Sequence, residues 1–123
     1  MHFLALLLPL ILGSTTFAIT CKSNCAPPPN SVACAEASRN ALLRRYNCLN
    51  FPDSTFLYKG GRTVVNAAGT SCSARIRGSD LQTYVGCEEL SNRLNGIINT
   101  CIRNGNGGGW DEAANWGWGV RTC

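Results

Sequence analysis

CSARIRGSDLQTYVGCEELSNRLNGIINTC, residues 72–101, changes its apolar period from two to between three and four partway along. From Cys72 to Arg77 the chain alternates, with Cys72, Ala74 and Ile76 on one side and Ser73, Arg75 and Arg77 on the other. That is the pattern of a half-buried strand, and Gly78 ends it. Ser79-Asp80-Leu81-Gln82 fits a capping box, with Ser79 as cap and Gln82 three residues on. Cys87, Leu90, Leu94, Ile97, Ile98 and Cys101 then recur at helical spacing, so a helix from the capping box to about Cys101 presents one apolar stripe.

The flanking sequence repeats the alternation of strand and helix. Ile19–Lys22 is a short strand candidate, and Pro27, Pro28 and Pro29 force an extended turn. A helix follows from a Ser31 cap to about Tyr46, with Cys34, Ser38, Leu42 and Tyr46 on one stripe; Asn47 and Pro52 mark its exit. Thr55–Lys59 is β-branched and aromatic, and Gly60-Gly61 is a turn signal before Arg62–Asn66. Gly105, Gly107, Gly108 and Gly109 make Arg103–Asn115 a plain loop, which lacks the Gly-Lys-Ser/Thr ending of a phosphate-binding loop. Trp116–Thr122 closes the chain as a strand. The predicted fold is α+β, a small disulfide-rich β-α-β-β-α-β sandwich of the split βαβ kind. Its antiparallel sheet has two helices on one face and leaves the other open to water.

At 123 residues the chain has room for one domain. Phe3–Leu12 is apolar apart from the neutral Pro9, too short for the roughly 20 residues of a bilayer span, and exits through small residues. Residues 1–18 are therefore expected to be a secretory signal, with residues 19–123 as the mature, extracellular domain. Pro9 and the charge-poor start argue against a buried apolar helix. The one histidine, His2, falls in the removed segment, which excludes histidine triads, histidine-zinc sites and histidine-based ribonuclease chemistry. Cys21, Cys25, Cys34, Cys48, Cys72, Cys87, Cys101 and Cys123 are all in the mature part, so four disulfides are expected. No C-x2-C pair supports zinc, no adjacent cysteine doublet supports a hydrophobin, and the connectivity is open. There is no Asn-x-Ser/Thr acceptor.

Strand parity extends to the open face. Trp116, Trp118 and Val120 share one side of the last strand and are expected in the core, against the alternative of a glycan-stacking platform. Loop-borne Trp110 is the better glycan-contact candidate. Arg75, Arg77, Arg121 and Lys22 project from the open side as a basic patch. It is either a solvated polar face or a docking surface for an anionic membrane, a channel vestibule or an acidic partner. Lys59 and Arg62, on the Gly60-Gly61 turn, are candidates for an exposed basic tip.

The carboxylates are Glu36, Asp53, Asp80, Glu88, Glu89, Asp111 and Glu112. A glycosidase needs two about 5 to 9.5 Å apart across a cleft. Glu88 and Glu89 look like solvent-facing helix residues, and Asp111-Glu112 is placed in the glycine loop, where a rigid pair is hard to hold. The expectation is a monomeric, non-enzymatic protein with no cofactor, no metal and no nucleic-acid partner. A hydrolase would have to use Glu88, Glu89, Asp111 or Glu112.

Cys72-Ser-Ala-Arg-Ile-Arg-Gly, the Gly-Cys87-x-x-Leu-x-x-x-Leu helix ending at Cys101, the glycine-rich loop and the strand closing on Cys123 carry a resemblance. So does an opening of Ile19-Thr20-Cys21 with a second cysteine shortly after. Over most of residues 19–123 the chain resembles the fungal killer toxins of the maize-smut virus type, the killer protein four-like family. It departs from them in having fewer cysteines, and the family's Cys-x-x-Cys-Gly segment is here Cys101-Ile-Arg-Asn-Gly105. The resemblance implies an antiparallel sheet with two helices on one side. It also implies a secreted toxin that impairs target cells by blocking calcium uptake through membrane channels, with an essential basic residue in a loop. No lysine here matches that residue's motif. Besides a membrane protein or ion channel, a cell-wall glycan is the other partner the sequence allows, for an apoplastic chitin- or glucan-binding effector without toxicity.

Overall fold

The period-two segment becomes an inner strand of a sheet. The computed structural model describes residues 18–78 and 82–123. Their elements are β1 (Thr20–Lys22), α1 (Ser31–Arg45), β2 (Thr55–Tyr58), β3 (Gly61–Asn66), β4 (Ser73–Gly78) and β5 (Thr83–Gly86). Then come α2 (Cys87–Ile97), a π-helical turn (Ile98–Ile102), β6 (Gly108–Glu112) and β7 (Trp116–Arg121). The protein is a small disulfide-rich α+β fold. Its five-stranded sheet has the order β1-β6-β7-β4-β3, with β2 and β5 paired separately and every pairing antiparallel. The expected secretory segment, residues 1–18, lies outside the described residues except for Ala18.

Both helices cover one face of the main sheet. Ala74, Ile76, Trp118 and Val120 of β4 and β7 meet Ala35 and Leu42 of α1 and Leu90, Leu94 and Ile97 of α2, each at most 1% exposed. The predicted inward set Cys72, Ala74 and Ile76 is fully buried, and Trp116 and Trp118 lie in the core at 6% and 1% exposure. Those two tryptophans are therefore no glycan platform. In α1, Ser38 and Leu42 are buried and Cys34 is half-buried, as is Tyr46 just past its end, which stacks on Phe56 with ring centroids 4.2 Å apart. Ser31 is the first helical residue rather than the cap. That place belongs to Asn30, in the left-handed region at φ 62°, a conformation asparagine tolerates better than most residues.

Two stretches differ from expectation. The capping-box residues Ser79, Asp80 and Leu81 lie outside the described residues, and α2 begins only at Cys87. Thr83-Tyr84-Val85 extends instead and pairs with Leu57 and its neighbours in β2, because a β-branched and aromatic run gains more from a ladder than from a helix turn. The six residues of the apolar stripe, Cys87 to Cys101, are all buried, so period located the helix and the cap misplaced its start. The second difference is the glycine stretch: Gly108–Glu112 is not loop but β6, between β1 and β7. Low strand propensity is overridden there by close packing. A methyl group at Gly109 would come within 2.6 Å of Cys101 Sγ and one at Gly107 within 2.5 Å of Cys25 Sγ, so only glycine fits. With these additions the main sheet is wider than a split βαβ unit, and β1 and β3 occupy its two edges.

The disulfides are Cys21–Cys101, Cys25–Cys123, Cys34–Cys72 and Cys48–Cys87, leaving no free cysteine. Their sequence separations of 80, 98, 38 and 39 each correspond to about 4 to 5 kcal/mol in the chain-entropy account of loop closure. Such a framework is consistent with an extracellular protein. No helix of the described residues is long and apolar enough to cross a membrane.

Candidate functional site

The face of the sheet away from the helices carries the chemistry. Strand parity and register place Lys22 (β1), Trp110 and Glu112 (β6), Gly117, Gly119 and Arg121 (β7), Arg75 and Arg77 (β4) and Arg62 (β3) on it together. Trp110 is central. The benzo ring of its indole rests on Gly117 and Gly119, where a methyl group would approach ring carbons to 2.5 Å. The guanidinium carbons of Arg75 and Arg77 lie 5.8 and 5.2 Å from the ring centroid, within cation–π reach. Lys22, Arg62, Arg75, Arg77, Thr20 and Trp110 line a shallow groove of about 350 Å³.

Charge on this face is unbalanced. Five of the eleven basic residues sit here against Glu112, the one carboxylate on the face among the described residues. Glu112 accepts a hydrogen bond from the Trp110 indole N–H at 3.1 Å and pairs with Arg77 at 3.3 Å. Arg75 has no such partner, and its Nε is buried without a hydrogen bond. Burial, then the nearby charges of Arg121 and Arg62, hold the Arg75 guanidinium below the usual arginine range.

The predicted basic candidates Arg62, Arg75, Arg77, Arg121 and Lys22 are therefore brought together. Lys59 is not: it is exposed in the turn between β2 and β3 and lines neither the groove nor the cleft beside it. Trp110 is on the open face as a half-buried strand residue rather than on a loop. Asp111 and Glu112, as neighbours in a strand, point to opposite faces, with Asp111 at 7% exposure. They cannot act as a pair. Glu88 and Glu89 are exposed in the first turn of α2, where they complement the helix dipole, and Glu89 is bound to Arg93 at 2.9 Å. Among the described residues no group of three or more His, Cys, Asp or Glu side chains could hold a metal ion.

Sequence reasoning missed the seat that Gly117 and Gly119 make for Trp110 and the strand position of Gly108, and it weighed Glu112 only as a hydrolase carboxylate. The alternation Trp116-Gly-Trp-Gly-Val120 held the signal: glycines at every second strand position leave a bare track, and a bare track seats a ring from the next strand. Compared with known proteins, the chain matches no protein-family model and no curated protein.

Proposed function

We propose that this is a secreted, non-enzymatic, killer-toxin-like protein, acting as a microbial antagonist or a host-directed virulence effector. It impairs target cells by laying its open sheet face on an acidic surface at their membrane, the vestibule of a calcium channel. The observation that carries this reading is the gathering of five cations around Trp110 against one carboxylate. A concave face with so large an excess of one sign steers an oppositely charged partner and fixes its orientation. The resemblance of the cysteine and glycine spacing to that of killer toxins, the apolar segment at residues 1–18 and the four disulfides support the same reading.

The test is growth and calcium uptake of fungal and plant cells exposed to the oxidised protein, with the reduced protein as control. Inhibition relieved by added calcium is the expected result. Full growth with unchanged uptake in both cell types overturns it. A second reading, a chitin- or glucan-binding effector without toxicity, is favoured by the half-exposed indole of Trp110 on a concave surface. Retention on chitin or cell-wall glucan that is lost in Trp110→Ala is what it requires.

A further inference from the structure

The basic face is asymmetric. At its Arg77 end Glu112 matches the charge and anchors the indole. At the other end Lys22, Arg75 and Arg121 converge on an adjoining cleft of about 90 Å³, which shares Lys22, Arg75 and Trp110 with the groove, is bounded further by Gly107–Gly109, and has no carboxylate in its lining. The backbone holds these cations in place. Lys22 and Arg121 are the two cross-strand neighbours of Gly108, so they stand on either side of a position with no side chain. The Gly107 N–H donates to the Lys22 carbonyl at 2.8 Å, and the Thr122 N–H and hydroxyl both donate to the Gly107 carbonyl, at 2.8 and 2.9 Å. β1 and the end of β7 are thereby clamped to one residue. Arg75 closes the third side, makes no ion pair among the described residues and keeps its buried Nε unpaired.

We infer that this cleft is an oxyanion site that takes a doubly charged tetrahedral group, a phosphate monoester, between Lys22, Arg75 and Arg121. Its volume of about 90 Å³ leaves room for one such group. A guanidinium fork opposite an ammonium suits a tetrahedral anion, which offers oxygens in several directions at once. An anion here also supplies the negative charge that Arg75, crowded by Arg121 and Arg62, lacks. The inference rests on the proposed docking face and narrows its acidic partner to one bearing this group.

The test is a titration of the oxidised, isotope-labelled protein with inorganic phosphate and with sulfate at 0.15 M sodium chloride. It is followed at the amides of Gly107–Gly109 and the indole N–H of Trp110. Saturable binding with a Kd of millimolar order is expected, weakened about tenfold in each of Lys22→Gln, Arg75→Gln and Arg121→Gln and less than about twofold in Arg62→Gln. Shifts that stay linear with concentration overturn the site, as does an Arg62→Gln loss equal to that of Arg75→Gln, since diffuse attraction alone gives both. Vesicles of phosphatidylcholine with phosphatidylinositol 4-phosphate, compared with phosphatidylserine at equal charge, identify the source. Preference for the phosphomonoester places the group on a lipid, and equal vesicle binding with intact phosphate binding places it on a soluble ester. Oxyanion binding without any effect on calcium uptake overturns the docking reading alone. Calcium-uptake inhibition that survives in a protein with no saturable anion binding overturns this inference alone.

Discussion

Trp110 rests on Gly119 so closely that a methyl group at that glycine would stand 2.5 Å from Cε3 of the indole and 2.9 Å from the Gly109 carbonyl oxygen. The seat is therefore part backbone and cannot give way. Gly119→Ala is expected to cost about 1 to 3 kcal/mol in denaturant melts and to shift the Trp110 indole resonance. Gly86→Ala is the control: its nearest contact would be an ordinary 3.8 Å, so it stays within about 0.5 kcal/mol.

Glu112 restrains the basic face. Glu112→Gln leaves a hydrogen-bond acceptor for the indole and removes the opposing charge. Stability changes by less than about 1 kcal/mol, as for exposed ion pairs, while elution from a cation-exchange column moves to higher salt. Unchanged elution would show that Glu112 does not oppose the patch.

Replacing Arg75, Arg77 and Arg121 together by Ser is expected to abolish toxicity and to leave thermal stability within about 1 kcal/mol, because none of the three lies in the core. Full toxicity in a folded triple variant sinks the assignment of the docking face.

The Tyr46 phenol is pushed above its ordinary value, chiefly by burial, with the hydrogen bond to Thr63 at 3.0 Å pulling the other way. A raised acid value in the folded state means its stabilising contribution is complete below about pH 10 and is lost as pH rises through the folded value. The stability difference between the parent and Tyr46→Phe should stay constant from pH 5 to 9 and shift against the parent above about pH 10. A difference that already drifts near neutrality overturns the assignment.

Removing the Cys48–Cys87 bridge as a double Ser variant is expected to cost about 2 to 5 kcal/mol, read from the denaturation midpoint. Both residues sit where elements join, Cys48 just beyond α1 and Cys87 opening α2, so the loss falls on the packing of α2 against α1.

What could be read in advance was whatever rests on side-chain period. Cys72 to Arg77 and Trp116 to Val120 showed which face each strand buries, and hence that Arg75, Arg77 and Arg121 share the open side. Leu90, Leu94, Ile97 and Ile98 located α2. What escaped was decided by partners remote in sequence. Gly108–Glu112 looks like a loop until Thr20–Lys22 and Gly117–Arg121 are seen on either side of it. Thr83–Gly86 looks like the approach to a helix until Thr55–Tyr58 offers a ladder. Gly117 and Gly119 do alternate visibly with Trp116, Trp118 and Val120, but that Trp110 is the ring seated on them depends on the pairing of β6 with β7.

The four bridges interleave in two pairs: Cys21–Cys101 with Cys25–Cys123, and, nested within both, Cys34–Cys72 with Cys48–Cys87. Every peptide bond between Cys21 and Cys123 thus lies inside at least one covalent loop. A single proteolytic nick anywhere in that span releases nothing: the cut chain keeps its mass apart from one added water, and fragments part only once thiols are regenerated. In surroundings rich in proteases and poor in reductant, damage to this protein accumulates without dismantling it.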